Sequence, residues 1–278
     1  MVIAALVTAI TTSCACGVVP ERQNDFFWEN EIFGMRAYGP GEYHRWSGLD
    51  IFNKAERSGS VGDLLAGRIR CGNWHKEPAA GILDNYTVGA GRGCGAVALY
   101  GDGEWKTYPD WETSEIITNT PYMVEFRLVY PAFSAAGRMT YHITLRKGEQ
   151  FFRNEVSFEN SFKGALAGPA LDISPGRGHG GTVMEDGIKG AIALYEEDRG
   201  DVEGTTMTAV FLDPGEDRGV TLMTDHLGCR VLALNRFATN FTYWAGARWS
   251  RRGGVKSAED WFNRVTEFRQ QIKEGTRK

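Results

Sequence analysis

From about residue 26 to residue 246 the sequence is a succession of short apolar or alternating runs, each closed by Gly, Pro, Asn or Asp. No stretch of helical periodicity separates them. A chain written this way does not alternate strands with crossover helices. It is therefore expected to be all-β and mainly antiparallel, folded as a sandwich. The runs read as strands are 32–38, 96–100, 112–117, 123–130, 139–145, 151–158, 191–195, 208–212, 220–224, 230–234 and 241–245. Residues 146–150, Arg-Lys-Gly-Glu-Gln, read as a hairpin loop between two of them. A high content of glycine (35 residues) and aromatics (15 Phe, 10 Tyr, 8 Trp) agrees with many turns and a β-rich core.

One helix stands apart. Ser257 is followed three residues later by Asp260, the arrangement of a capping box, and Trp261, Val265, Phe268 and Ile272 then recur at helical spacing. Glu259 and Asp260 early and Lys273 late suit the helix dipole. This helix is expected to lie against the sandwich through its aromatic stripe.

No linker or repeat divides the 278 residues, so residues 19–278 are expected to form a single domain. A net charge of −4 excludes a nucleic-acid binder held mainly by phosphate contacts. Residues 1–18 open with a short apolar run, too short to span a bilayer as a helix. They are expected to be either a secretory or lipoprotein segment, with Cys14 or Cys16 near its end, or a shortened first strand. The first reading places the protein outside the cytoplasm: periplasmic, secreted or lipid-anchored. The five cysteines, Cys14, Cys16, Cys71, Cys94 and Cys229, make neither a zinc signature nor a disulfide framework. No metal-binding, Walker or nucleophile-elbow motif occurs. No metal and no cofactor is expected.

Four ordered blocks carry a family resemblance. They are Val19-Pro-Glu-Arg-Gln-Asn-Asp-Phe-Phe-Trp-Glu-Asn30; Met35-Arg-Ala-Tyr-Gly-Pro40 with Ser47-Gly-Leu-Asp-Ile51; Tyr86-Thr-Val-Gly-Ala-Gly-Arg-Gly-Cys-Gly95; and Phe241-Thr-Tyr-Trp-Ala-Gly-Ala-Arg-Trp-Ser250 with Ser257-Ala-Glu-Asp-Trp261. Together they resemble DUF4861, a bacterial family associated with breakdown of plant and algal polysaccharides. The resemblance implies a galactose-mutarotase-like β-supersandwich and a carbohydrate substrate. It implies no mechanism.

Residues that could carry chemistry gather in three places. Trp74, His75, Asp84, Tyr86 and Arg92 fall within nineteen residues, 74–92. They offer an aromatic platform, an imidazole, a carboxylate, a phenol and a guanidinium, which is what an acidic sugar requires. His75 is the candidate general base, Tyr86 the proton donor and Arg92 the clamp on a substrate carboxylate. A plainer reading makes 89–95 a tight crossover and Arg92 an internal strut. The second place holds Tyr243, Trp249 and Arg251, with Trp249 and Arg251 read as a loop that stacks on and pairs with sugar; a buried aromatic layer is its alternative. The third is the loop 175–181, where His179 is a candidate second acid or base. Its formal G-x-G-x-x-G is rejected as a dinucleotide motif because no βαβ unit surrounds it. His142 reads as a cross-strand residue, His226 as part of a turn and His44 as lying in a polar turn.

The leading expectation is a carbohydrate-active enzyme on an acidic plant or algal glycan, most concretely a lyase acting by β-elimination at a uronic acid. His75, Tyr86 and Arg92 would be the machinery, with Tyr243 or His179 as substitutes, and Trp74, Asp84, Trp249 and Arg251 would bind the substrate. Alternatives are a glycoside hydrolase using Asp84 with Glu77 or Asp50 with Glu29, a sugar epimerase of the mutarotase type, or a non-catalytic sugar-binding domain. The partner is an oligo- or polysaccharide; nucleic acid and an integral membrane span are not expected.

Overall fold

The computed structural model describes residues 13–40, 48–106, 110–161, 164–186, 190–216, 219–234 and 239–277. The chain opens with β1 (Ala15–Val19), β2 (Asp25–Glu29), β3 (Phe33–Ala37) and β4 (Leu49–Lys54), then a single-turn helix α1 (Val61–Leu65) and β5 (Ile82–Leu83). It continues through β6 (Cys94–Gly101), β7 (Glu104–Lys106), β8 (Thr113–Thr120), β9 (Met123–Tyr130), β10 (Met139–Arg146), β11 (Phe152–Phe158), β12 (Leu166–Leu171), β13 (Gly181–Asp186) and β14 (Ala191–Glu196). After α2 (Gly200–Glu203) come β15 (Thr206–Leu212), β16 (Val220–Thr224), β17 (Arg230–Leu234), β18 (Asn240–Trp249) and the long helix α3 (Ala258–Lys273). Residues 1–12 and His44 lie outside the described residues, and with them much of the expectation for the N-terminus; Ala15–Val19 is a strand paired with β2.

The strands form three antiparallel sheets. β1 to β5 make one in chain order; an eight-stranded sheet runs β13-β14-β15-β18-β11-β10-β9-β8; a third runs β16-β17-β12-β6-β7. The eight-stranded sheet is one layer of the sandwich. The two five-stranded sheets together cover its inner face. Phe26, Trp28, Met35 and Ile51 of the first sheet share one core with Phe126, Tyr141 and Val156 of the large sheet and Val97 and Leu232 of the third. The other face of the large sheet receives α3, whose Trp261, Val265 and Phe268 pack on Phe151, Phe211 and Trp244. Ser257 Oγ caps the helix by accepting from the Asp260 amide, and Trp261 Nε1 donates to the Thr208 carbonyl at 3.1 Å. Among the described residues, no helix is long and apolar enough to cross a membrane.

Strands with one wet face follow the expected alternation: β9, β10 and β11 read alternately buried and half-buried or exposed. β4 is buried at all six positions and β2 at four of five. Their sequences, Leu-Asp-Ile-Phe-Asn-Lys and Asp-Phe-Phe-Trp-Glu, therefore mix charged and apolar residues without a two-residue period. β18 runs on to Trp249, so that residue is the end of a central strand rather than part of a loop.

Arg92 joins the two five-stranded sheets. Leu49 at the head of β4 bridges Gly93 just before β6, and its amide donates to the Arg92 carbonyl at 3.1 Å. A Cβ on Gly93 would stand 2.0 Å from the Leu49 carbonyl oxygen, and φ there is +64°, so only glycine allows this approach. The Arg92 side chain is fully buried. Nε donates to Asp225 Oδ2 at 2.9 Å and Nη2 to the Lys106 carbonyl at 3.1 Å. Arg92 is thus an internal strut and does not face a substrate. Removing one member of a buried ion pair strands the other charge. Arg92→Ala is therefore expected to lower the unfolding free energy in chemical denaturation by about 3–5 kcal/mol; a stability equal to wild type would contradict the strut.

Candidate functional site

The site begins with strand alternation. β2, β3 and β4 send Phe26, Trp28, Met35 and Ile51 into the sandwich core, so Asp25, Arg36 and Asp50 lie on the opposite face of the first sheet. Arg36 stands directly across from Asp50 in the β3–β4 register. Segments following β4 fold over this face and bury all three side chains. The guanidinium of Arg36 is bonded to Asp50 Oδ2, reaches Asp25 Oδ2 at 3.3 Å and lies 3.6 Å from Asp84 Oδ2. Burial works against its charge, and Asp50, Tyr38, Asp84 and Asp25 outweigh that penalty. Tyr38, two residues on, donates to Asp50 Oδ2 at 3.1 Å.

Asp84 enters from the connection after β5. Its amide donates to the Trp74 carbonyl at 3.0 Å. The carboxyl is buried, and Oδ2 makes no hydrogen bond among the described residues. Burial first, then the neighbouring charge of Asp50, pushes its proton affinity well above the usual carboxylate range; Arg36 and Arg22 pull the other way without cancelling the shift. Above it stands His75, with its side chain 57% exposed. Asn73 Oδ1 accepts from the His75 amide at 3.0 Å and so sets the turn that presents the ring. Nδ1 lies 3.0 Å from the Asp84 carbonyl and 3.3 Å from Asp84 Oδ2, while Nε2 accepts from Trp74 Nε1 at 3.0 Å. These partners assign the hydrogen to Nδ1 and leave Nε2 as the bare nitrogen.

These groups line one cleft of about 480 Å³, together with Tyr86, Arg22, Arg199 and Glu203. Tyr86 is buried, and its hydroxyl has no hydrogen-bond partner among the described residues. Burial raises its pKa well above the ordinary phenol value, so it keeps its proton. Arg22 is one-third exposed and lies over the Trp74 ring at 5.3 Å. The 84–88 segment is pinned from several sides. Asn53 donates to Asn85 Oδ1 at 2.7 Å, Arg199 to the Asn85 carbonyl at 3.1 Å, and His179 Nε2 lies 2.7 Å from the Thr87 carbonyl.

Of the residues singled out by sequence, His75, Asp84 and Tyr86 line this cleft, with Trp74 at its edge. The others do not reach it. His179 is buried, its Nδ1 2.8 Å from Glu196 Oε1 and its ring 4.4 Å from that of Tyr86; it positions Tyr86 and Thr87 rather than meeting a substrate. Tyr243 is in the core, bonded to the Gly95 carbonyl and accepting from Asn154 at 2.8 Å. Trp249 is buried and donates to the Glu203 carbonyl at 2.6 Å, bracing the cleft wall from behind. Arg251 is exposed, over the Trp249 ring and 3.4 Å from the Val202 carbonyl. The proposed carboxylate pairs separate as well: Glu29 is bound to the buried Lys54, and Glu77 is on the surface. His142 is a cross-strand residue between Glu125 and Glu155, as expected.

Arg22, Arg36 and Tyr38 were missed as site residues, whereas Asp50, named from the sequence as a hydrolase carboxylate, also lines the cleft. The signal for the three missed residues lies in the sequence all the same: each sits inside one of the two blocks 19–30 and 35–40 that carry the family resemblance.

The raised proton affinity of Asp84 has a definite consequence for stability. The folded state binds this proton more tightly than the unfolded chain does. Its contribution is therefore complete below the ordinary carboxylate range and is lost as pH rises through the higher folded value. Asp84→Asn keeps a neutral side chain at every pH. Its stability relative to wild type, followed by denaturation, is expected to improve steadily from about pH 4 to pH 8; a relative stability that worsens as pH rises would contradict the assignment.

Two comparisons with known proteins bear on this arrangement. Over 281 aligned residues the chain is 26% identical to Uncharacterized protein P7 of Formosa agariphila, covering 94% of this chain and 68% of that protein. The family model described as Domain of unknown function (DUF4861) matches residues 3–277, which takes in the whole cleft. The chain therefore belongs to the DUF4861 family.

Proposed function

We propose that the protein is a carbohydrate-active enzyme that cleaves an acidic plant- or algal-type glycan by β-elimination at a uronic acid, outside the cytoplasm where such polymers are met. The observation that carries this reading is that His75, Tyr86 and Arg22 line one sugar-sized cleft, with His75 exposed in it. An elimination needs three things: a cation on the sugar carboxylate to acidify the α-hydrogen, a base to take that hydrogen, and an acid for the departing oxygen. Arg22 supplies the cation in place of the buried Arg92, and its position over Trp74 pairs charge with a flat stacking surface. His75 Nε2 takes the α-hydrogen once the substrate displaces the Trp74 N–H. The α-carbon electrons form the new double bond, the C–O bond to the next sugar breaks, and Tyr86 protonates the departing oxygen.

Hydrolysis finds less support. Glu203 lines the cleft 3.8 Å from Arg199, while the other two carboxyl groups there, Asp50 and Asp84, both turn to the same nitrogen of Arg36. A hydrolase needs its two carboxyls on opposite sides of the scissile bond, and these two share one side.

Incubation with a panel of acidic polysaccharides is expected to release unsaturated uronides that absorb in the ultraviolet. His75→Ala and Tyr86→Phe are each expected to lower turnover by about 10²–10⁴-fold while leaving oligosaccharide binding in place. New reducing ends without ultraviolet absorbance would replace elimination with hydrolysis.

A further inference from the structure

The cleft does not end at His75. On the far side of that ring the loop 67–75 encloses a second depression of about 620 Å³, and His75 lines both. Ile69 and Trp74 give this depression an apolar wall, and Arg70 and Cys71 stand at its edge, both exposed. Trp74 packs on the small cluster under α1, Arg22 lies over its ring, and its Nε1 donates to His75 Nε2, the contact that substrate replaces. A half-buried indole beside a guanidinium suits the flat face and the carboxylate of a uronic acid.

We propose that this depression is a second sugar subsite, which takes the neighbouring uronic acid of the same glycan chain. Arg70 pairs with its carboxylate and Trp74 underlies its ring. The inference rests on the acidic-glycan reading above and adds to it the extent of the substrate. The chain crosses His75, with one sugar in each depression and the scissile linkage over the imidazole. Both depressions are open, so the glycan runs through the groove.

Cys71 provides the reporter, because the other four cysteines are buried. The experiment follows the rate of Cys71 alkylation by N-ethylmaleimide in the full-length Tyr86→Phe variant, which keeps its ligands intact. Galacturonate and oligogalacturonate and oligoalginate ladders of increasing length are the probes, their binding is measured by calorimetry, and Cys71→Ser confirms the labelled thiol. Single uronic acids are expected to leave the alkylation rate unchanged, whereas longer members slow it in proportion to occupancy. Arg70→Ala is expected to weaken the longer members by about three- to tenfold, as for loss of one exposed charge-assisted contact, and to leave the single sugars unaffected. If longer members bind to saturation with no change in Cys71 alkylation, the second subsite is overturned while the acidic-glycan reading stands. If no member of either ladder binds, the acidic-glycan reading itself is overturned, and the subsite with it.

Discussion

Arg36 is a guanidinium sealed on the outer face of the first sheet, where an unpaired charge would cost several kcal/mol. Asp25, Asp50 and Asp84 come to it from β2, from β4 and from the connection after β5. The network therefore does more than neutralise a charge. It fixes three strands in register and holds the floor of the cleft at one depth. It also crowds carboxyl groups together in a dry place, so Asp84 holds its proton far more tightly than a free carboxyl does. The same interaction that closes the sheet prepares an acid–base environment beneath His75.

A second set of contacts carries this geometry to the rest of the cleft. His179, Arg199 and Trp249 lie outside the chemistry but each holds a backbone carbonyl of the 84–88 or 200–204 segment, and Asn53 holds the Asn85 side chain. Irregular backbone at a site is held this way when its own sequence makes no ladder. Among the described residues, the Tyr86 hydroxyl, Asp84 Oδ2 and Asn53 Oδ1 are buried without a hydrogen-bond partner. A buried O–H without a partner costs about 1–3 kcal/mol.

Strands with one wet face such as β9 were legible in the sequence, as were the bounds of β16 and β17 and the hairpin joining β10 and β11. So was α3, because a cap and a 3.6-residue stripe are local signals. β2 and β4 were not legible. They are buried on both faces, and their outward charges belong to a site rather than to solvent. The candidate site divides along the same line. His75, Asp84 and Tyr86 share one stretch of chain and could be grouped by proximity. Arg36 and Asp50 come from separate strands and Arg22 from the turn between β1 and β2, and they meet only in the folded sheet. Arg92, among glycines, resembles a loop residue ready for a ligand, yet those glycines serve a close backbone crossing. Local sequence does not distinguish an arginine facing a cleft from one facing Asp225.

The central claim is that burial at the floor of the cleft, beside Asp50, raises the proton affinity of Asp84 above that of a free carboxyl, against the pull of Arg36. Infrared difference spectroscopy of wild type against Asp84→Asn, followed across pH, tests it most directly. The expected result is a neutral, non-aqueous carboxylic-acid band that persists in wild type above the ordinary carboxylate range and is missing from the variant. An ionised carboxylate band assigned to Asp84 across the same range would contradict it.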